Sequence, residues 1–391
     1  MRSPAMSDTK SPSFIRGAWP KLVVAWLVVV VFQSAGTSWL SPDMTPTVAI
    51  SCFLVLFATI LMAAFGVVKE ADELAHQLGE PYGTLILTLS IVAIEVILIA
   101  AVMLGPNEAP TIGRDSIFAV MMIILNLVTG ICLLAGAIRY GEQEYNAPGA
   151  VSFIAMTVVL AGVALLVPNT LPAADGTFTA LQAIVVSVVT VIVYGGFLVL
   201  QMGRYRSHFM QPAPGRMSIR LAEPIARPAP EADIATGGGA RKKNIVHSAM
   251  LIGLMLPIVL LAHDLAIVID FGVARAGAPV AVGGVLIAII VFTPESITAV
   301  KAALKNETQR AINLCLGAFV STVGLTVPAV LTVGLLSGKM VIFGISPTET
   351  ILFALTIALT TLTYLGRRTS AVQGLLHLML FAIFGLLLFT A

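Results

Sequence analysis

Two glutamates stand in the middle of long apolar runs, Glu95 within 83–104 and Glu295 within 279–300. An ionised carboxylate at the centre of a bilayer costs at least about 3 kcal/mol, so it persists there only when it is paired or has a task. Each of the two follows a glycine by twelve residues, Gly83 and Gly283, and the stretches 83–100 and 283–300 superpose at an offset of 200. Two carboxylates brought together repel, and a site built from them holds protons when it is otherwise empty. A hard cation with oxygen ligands displaces those protons by supplying the same neutralisation. Neither state leaves a bare dianion in lipid. Cation and proton then bind in mutual exclusion, which is what an exchange of one for the other requires. The alternative is a protonated carboxyl hydrogen-bonded to a neighbouring helix, and two such groups at matching repeat positions argue against it.

Other polar residues fall where they could line a path to this pair. Thr84, Thr88 and Glu95 share one helical face, and Glu80 opens the same segment beside Pro81. Pro294 directly precedes Glu295; lacking an N–H, it frees the Ile290 carbonyl from its helical partner. A freed carbonyl in lipid is rescued by a neighbour or used as a ligand. Asn126 and Ser321 are lining candidates in two further spans. Thr322 and Thr326 lie beside Ser321, although such hydroxyls often bond back to their own helix. His263 and Asp264 form an ionisable pair inside another span, either passing protons or cations at an outer mouth or fixing helix packing. The run Lys69, Glu70, Asp72, Glu73, His76 reads as a solvated amphipathic turn.

The elements that must position these groups follow from composition. Of 391 residues, 58% are hydrophobic and 11% charged, less than half the charged share of a soluble protein. A net charge of +2 gives no sign of a nucleic-acid partner, and Cys52, Cys132 and Cys315 have no metal or disulfide spacing. A helix needs about 20 apolar residues to span the hydrocarbon core. Eleven segments qualify: about 21–40, 46–68, 83–104, 116–138, 148–168, 178–202, 245–269, 279–300, 311–336, 348–365 and 371–390. The first is too long for the apolar core of a signal peptide and is expected as a retained helix. Residues 203–244, rich in proline and glycine and ending in Arg241-Lys242-Lys243, read as a flexible linker. With this linker and the N-terminus placed in the cytoplasm, 19 of the 22 Lys and Arg lie inside, as the positive-inside rule prefers. The C-terminus is then outside.

The expected fold is an all-α polytopic membrane protein with eleven transmembrane helices, an extra N-terminal helix followed by two inverted five-helix repeats. Its parts are 1–45, the first repeat 46–202, the cytoplasmic linker 203–244 and the second repeat 245–391. Five is an odd number, so the second set enters the membrane from the opposite side, the plan of secondary transporters with a midplane site. Twelve residues of helix advance about 18 Å, which lets Glu95 and Glu295 meet at one depth from opposite faces. No zinc-protease, nucleophile-elbow or nucleotide-binding motif is present, so an enzyme is disfavoured and ion gradients are the expected drive. A carboxylate-filtered channel is disfavoured too, since filters come from rings of subunits.

The stretches Gly79-Glu80-Pro81-Tyr82-Gly83-Thr84-Leu85 through Glu95, and Thr293-Pro294-Glu295-Ser296-Ile297-Thr298-Ala299-Val300-Lys301-Ala302-Ala303, resemble the two α-repeats of the calcium/cation antiporter superfamily. Within it they are most similar to the calcium/proton exchanger branch, including bacterial antiporters that handle Ca²⁺ and also Na⁺ or K⁺. The resemblance covers spans 2–11. It implies that Glu95 and Glu295 bind both the transported cation and the counter-proton, with no resident cofactor, in the inner membrane of the cell. The branch typically carries Gly-Asn-Ala-Thr/Ala-Glu, where this chain has Val92-Ala93-Ile94-Glu95 and Val291-Phe292-Thr293-Pro294-Glu295. Both asparagines are missing, which removes neutral oxygens from a Ca²⁺ shell of six to eight ligands. Exchange of Na⁺ or K⁺ alone for protons therefore stands as the alternative.

Overall fold

Lipid offers backbone groups no partners, so an apolar chain must bond its own N–H and C=O groups, and a helix does this within one segment. The computed structural model describes residues 19–41, 43–78, 82–105, 109–172, 175–212, 238–366 and 368–390, with backbone alone for 75, 76, 78, 82–85, 87, 88 and 238–242. The helices are α1 (Trp19–Trp39), α2 (Pro46–Leu78), α3 (Tyr82–Met103), α4 (Ile112–Met121), α5 (Thr129–Tyr140), α6 (Ala147–Leu165), α7 (Ala180–Met202), α8 (Gly238–Ala276), α9 (Ala281–Ala303), α10 (Thr308–Ser337), α11 (Pro347–Tyr364) and α12 (Ala371–Leu388). A π turn over Met122–Val128 joins α4 and α5 into one rod. Two-residue strands β1 (Gln143–Glu144) and β2 (Arg368–Thr369) pair antiparallel.

The protein is an all-helical polytopic membrane protein. Among the described residues, nine helices are long and apolar enough to cross a membrane, the α4–α5 rod counting as one. Eleven were expected. The remaining two, α3 and α11, occupy the expected segments: α3 is described with an unbroken run of side chains only over Leu89–Met103, and α11 carries six threonines and Glu349, which lower its hydropathy. Several of these hydroxyls bond back to their own helix, Thr360 to the Thr356 carbonyl at 2.7 Å and Thr361 to that of Ile357 at 2.7 Å.

Two expectations about the ends of helices are corrected. The run from Lys69 is no solvated turn: α2 continues to Leu78, and the buried Glu70 carboxylate meets His247 Nδ1 of α8 at 2.6 Å. The linker is shorter than 203–244. Helix α8 begins at Gly238, so Arg241, Lys242 and Lys243 extend a helix. At the other end Asn146 Nδ2 donates to the Ser207 carbonyl at 2.8 Å, and Asn313 Nδ2 to that of Phe209 at 2.6 Å. Most of the expected linker, 213–237, lies outside the described residues.

Proline and glycine decide how the helices meet. Pro257 interrupts α8, so the Gly253 carbonyl loses its helical donor; the indole Nε1 of Trp26 in α1 donates to it at 3.0 Å. The α4–α5 rod and α10 run through the middle of the bundle, while α7 and α12 are largely exposed at its rim. Helix α9 lies on α4 so closely that a Cβ at Gly284 would come within 2.7 Å of the Asp115 carbonyl carbon. At the far end of the same two helices, Tyr140 Oη donates to the Leu304 carbonyl at 2.8 Å. The starts meet and the ends meet, so the rod and α9 run parallel.

Any side chain at position 284 forces α4 and α9 apart. Gly284→Ala is expected to destabilise by about 1–3 kcal/mol, as overpacking does, lowering the midpoint of a thermal melt in detergent. Gly283→Ala is the control, since its Cβ would meet only side-chain atoms at 3.5 Å and beyond, and it should melt like the wild type.

Candidate functional site

Helix α3 brings Glu95 into the protein interior among Ile91, Ile94 and Leu98, and its side chain is fully buried. Its Oε2 accepts a 3.0 Å hydrogen bond from Thr322 Oγ1 of α10. Its Oε1 has no hydrogen-bond partner among the described residues. One turn along α10, the buried Thr326 hydroxyl lies within hydrogen-bonding reach of the same carboxyl. Glu295 is carried by α9; it is buried, its Oε2 has no hydrogen-bond partner among the described residues, and the Glu95 carboxylate acts on it electrostatically. Two buried carboxyls on different helices thus act on one another, each with an acceptor oxygen that has no hydrogen-bond partner among the described residues.

The hydroxyls nearest Glu295 in sequence are already engaged. Thr293 donates to the Ile289 carbonyl at 2.5 Å, Ser296 to that of Phe292 at 2.7 Å and Thr298 to that of Pro294 at 3.0 Å. Pro294 sits inside α9, where it deprives the Ile290 carbonyl of its i+4 donor. Among the described residues no group of three or more His, Cys, Asp or Glu is placed to hold a metal ion. The side-chain oxygens gathered around Glu95 are the Thr322 and Thr326 hydroxyls and, acting through its charge, the Glu295 carboxyl.

The structure sorts the remaining expected residues. Thr322 reaches across to Glu95 rather than bonding only to its own helix. Ser321 Oγ donates to the Ala318 carbonyl at 2.7 Å and lies within hydrogen-bonding reach of Tyr194 in α7. Asn126 is fully buried but turns to α11 and α12: its Nδ2 donates to Thr356 Oγ1 at 2.9 Å, and its Oδ1 meets His377 Nδ1 at 3.2 Å. His263 is exposed on α8 while Asp264 is half-buried, close enough to α2 for its charge to act on Cys52. Neighbours in a helix point about 100° apart, yet the charge of His263 still acts on the Asp264 carboxyl. Glu80, and the side chains of Thr84 and Thr88, lie outside the described residues.

Tyr194 was not foreseen. Its ring packs on Gly324 of α10, where a Cβ would come within 2.6 Å of the ring carbon Cγ, and the charge of Glu295 acts on it. His377 was missed as well. Each was visible as the one ionisable side chain of its span, 178–202 and 371–390, and an intramembrane ionisable group is a site hypothesis by default.

A helical membrane bundle whose interior holds two buried carboxyls on separate helices, with no basic partner among the described residues, suits an ion-translocating protein rather than a receptor or an anchor. The chain belongs to the sodium/calcium exchanger protein family, matching it over residues 48–203 and 247–390. It is 31% identical over 384 residues to the sodium-potassium/proton antiporter ChaA of Escherichia coli, covering 98% of this chain and 100% of that one. It is 35% identical over 327 residues to the putative ionic transporter y4hA of Sinorhizobium fredii, covering 83% of this chain and 85% of that one. Among solved structures its fold is similar to native YfkE, with a TM-score of 0.69 at 15% identity over 96% of this chain and 100% of that chain. The H⁺/Ca²⁺ exchanger CAX is similar with a TM-score of 0.66 at 12% identity over 95% of this chain and 88% of that chain. The family is one of transporters, not enzymes.

Thr322→Val removes a donor that favours the ionised form of Glu95. A hydrogen bond to a charged group contributes about 1.5–3 kcal/mol, so the cation concentration for half-maximal exchange should rise at least about tenfold. Thr322→Ser should stay near the wild type. Equal cation dependence in Val and Ser variants would remove Thr322 from the site.

Proposed function

We propose that this cation/proton antiporter binds Ca²⁺, and in the same site Na⁺ or K⁺, between Glu95 and Glu295, each cation displacing protons from the pair. The observation that carries the reading is the open acceptor on each buried carboxyl, Glu95 Oε1 and Glu295 Oε2. A vacant cation site in lipid must be protonated, because an ionised pair there is too costly to persist. One Ca²⁺ or two protons neutralise the pair equally, so the site is emptied of one only as it fills with the other. Exchange of monovalent cations alone is the second reading. It is favoured by the few neutral oxygens around the carboxyls and by the full-length similarity to a sodium-potassium/proton antiporter.

Alternating access through an inverted repeat accounts for release on both faces, and reciprocal contacts between the halves support it. Lys339 Nζ at the end of α10 donates to the Gly105 carbonyl beyond α3 at 3.1 Å, and Tyr140 Oη at the end of α5 donates to the Leu304 carbonyl beyond α9 at 2.8 Å. Donors and acceptors of these two bonds are each 199 residues apart, 140 from 339 and 105 from 304. The loop pairings repeat more loosely: Gln143 pairs with Thr369 and Ile342 bridges Thr177, with offsets of 199 and 192 residues. The extra helix α1 stands outside this scheme. The charge distribution orients the bundle with the N-terminus in the cytoplasm and the C-terminus outside.

In proteoliposomes with a trapped pH dye, Ca²⁺, Na⁺ and K⁺ supplied in turn should each move protons in the wild type; a response to Na⁺ and K⁺ alone selects the second reading. Glu95→Gln and Glu295→Gln keep size and hydrogen bonding but remove the charge and the exchangeable proton. Each should abolish cation-driven proton movement while the protein remains folded. Near wild-type exchange by either variant would make the pair structural. A tag within 213–237 should be reached from the cytoplasmic side and a tag after Ala391 from the outside; both on one side would exclude the inverted arrangement.

A further inference from the structure

Behind the α4–α5 rod lies a buried polar network that the exchange of ions does not itself use. Asn126, Thr356, Thr363 and His377 are all fully buried. With the Asn126 amide as placed, their hydrogen bonds run in one direction, and the Leu125 backbone of the π turn also acts on the His377 ring. Asn126 Nδ2 donates to Thr356 Oγ1 at 2.9 Å and toward Met122 Sδ at 3.5 Å, and Thr356 Oγ1 points its own proton at the same sulfur at 3.7 Å. Asn126 Oδ1 is therefore an acceptor, and His377 Nδ1, 3.2 Å away, carries a proton to it. His377 Nε2 is then the acceptor for the Thr363 hydroxyl at 3.1 Å. A neutral imidazole satisfies every group in the chain.

Counting along the helices shows what this network faces. The rod and α9 run parallel and touch at Asp115 and Gly284. Eleven residues further on, the rod reaches Asn126 and α9 reaches Glu295, both about 16 Å below the contact at the helical rise. At that depth the rod is in a π turn, Met122–Val128, and this turn packs on α9. A π turn adds a residue to the helix and loosens its bonding, and such turns cluster at functional sites. Here Thr129 Oγ1 captures the Ile124 carbonyl at 2.8 Å, bonding a turn whose helical register has shifted.

We propose that His377 is a positioning residue for the cation site, holding Asn126 and with it the π turn that supports α9 at the level of Glu295. The proposal rests on the cation/proton exchange reading. His377 touches neither carboxyl and carries no transported proton; its Nδ1–H fixes Asn126, and Asn126 fixes the turn. Losing that donor loosens the support under Glu295 and weakens cation binding more than turnover.

Full-length protein in proteoliposomes, with cation-dependent proton movement as the readout, tests this. His377→Leu should raise the KM for the cation about tenfold, the size expected for a lost buried hydrogen bond, with kcat changed less. His377→Asn offers an N–H in place of the ring donor and should bring KM most of the way back. Asn126→Leu should raise KM similarly, and the double variant His377→Leu with Asn126→Leu should be no worse than either alone. If His377→Leu fails to accumulate, Thr363→Val keeps the ring and removes its far anchor, and a raised KM is expected there. A wild-type KM in the assayed variant overturns the proposal. So does a changed number of protons per cation, which would make His377 a proton carrier. Glu95→Gln run in parallel separates the two levels: continued exchange there sinks the site reading, whereas lost exchange with unchanged KM at His377 sinks only this proposal.

Discussion

A carboxylate in hydrocarbon must be neutralised at every moment, and the interior of this protein is arranged around that demand. Glu95 and Glu295 are buried on different helices, and neither has a fixed basic partner in the contacts that surround it. A lysine or arginine beside them would satisfy the charge permanently and leave nothing to exchange. Hydroxyls such as Thr322 are the compromise: they hold the carboxyl in place without supplying its counter-charge. The permanent ion pairs are elsewhere, at the ends of helices, where Arg368 meets Glu142 and Glu144 and Arg114 meets Asp115.

Holding two buried carboxyls on separate helices where one acts on the other requires those helices to approach closely and in fixed rotation. Small residues do the first, as is usual between helices in lipid: Gly284 lets α9 lie on the Asp115 backbone, and Gly324 receives the Tyr194 ring. Hydrogen bonds between helices do the second. These are modest individually, near 0.6 kcal/mol on average in a bilayer, but each fixes an angle that apolar contact leaves free. The polar side chains of α11 and α12 are thus concentrated on the face toward the rod, while the opposite faces carry leucine and isoleucine to lipid.

Much of this was legible in the chain itself. Hydropathy located every helix that matters, because the bilayer imposes one length and one solution on each apolar run. The 200-residue offset between Glu95 and Glu295 singled out the two carboxyls, because charge in an apolar run is costly and therefore informative. The pattern was silent where its period breaks: nothing in Met122–Val128 announces a π turn, so the direction of Asn126 could not be read from helical spacing. Thr322 and Ser321 illustrate the same limit, since adjacent residues differ by about 100° in direction, and sequence alone does not say which faces the partner helix. The extension of α2 to Leu78 was hidden by its charges, which look solvated until His247 arrives from α8 to cover Glu70.

The bond from Trp26 to the Gly253 carbonyl spans 227 positions of the chain, and that separation has a consequence for biosynthesis. Helix α1 is made first, yet the acceptor for its indole does not exist until α8 has been translated and inserted. Domains generally assemble as the chain emerges, at about 5–20 residues per second, so α1 waits roughly ten to fifty seconds for its partner. During that interval its docking face is open to lipid or to a membrane insertase. Truncated chains that stop before Gly253 leave α1 in that state permanently, which makes the first helix a reporter of whether the second half has arrived.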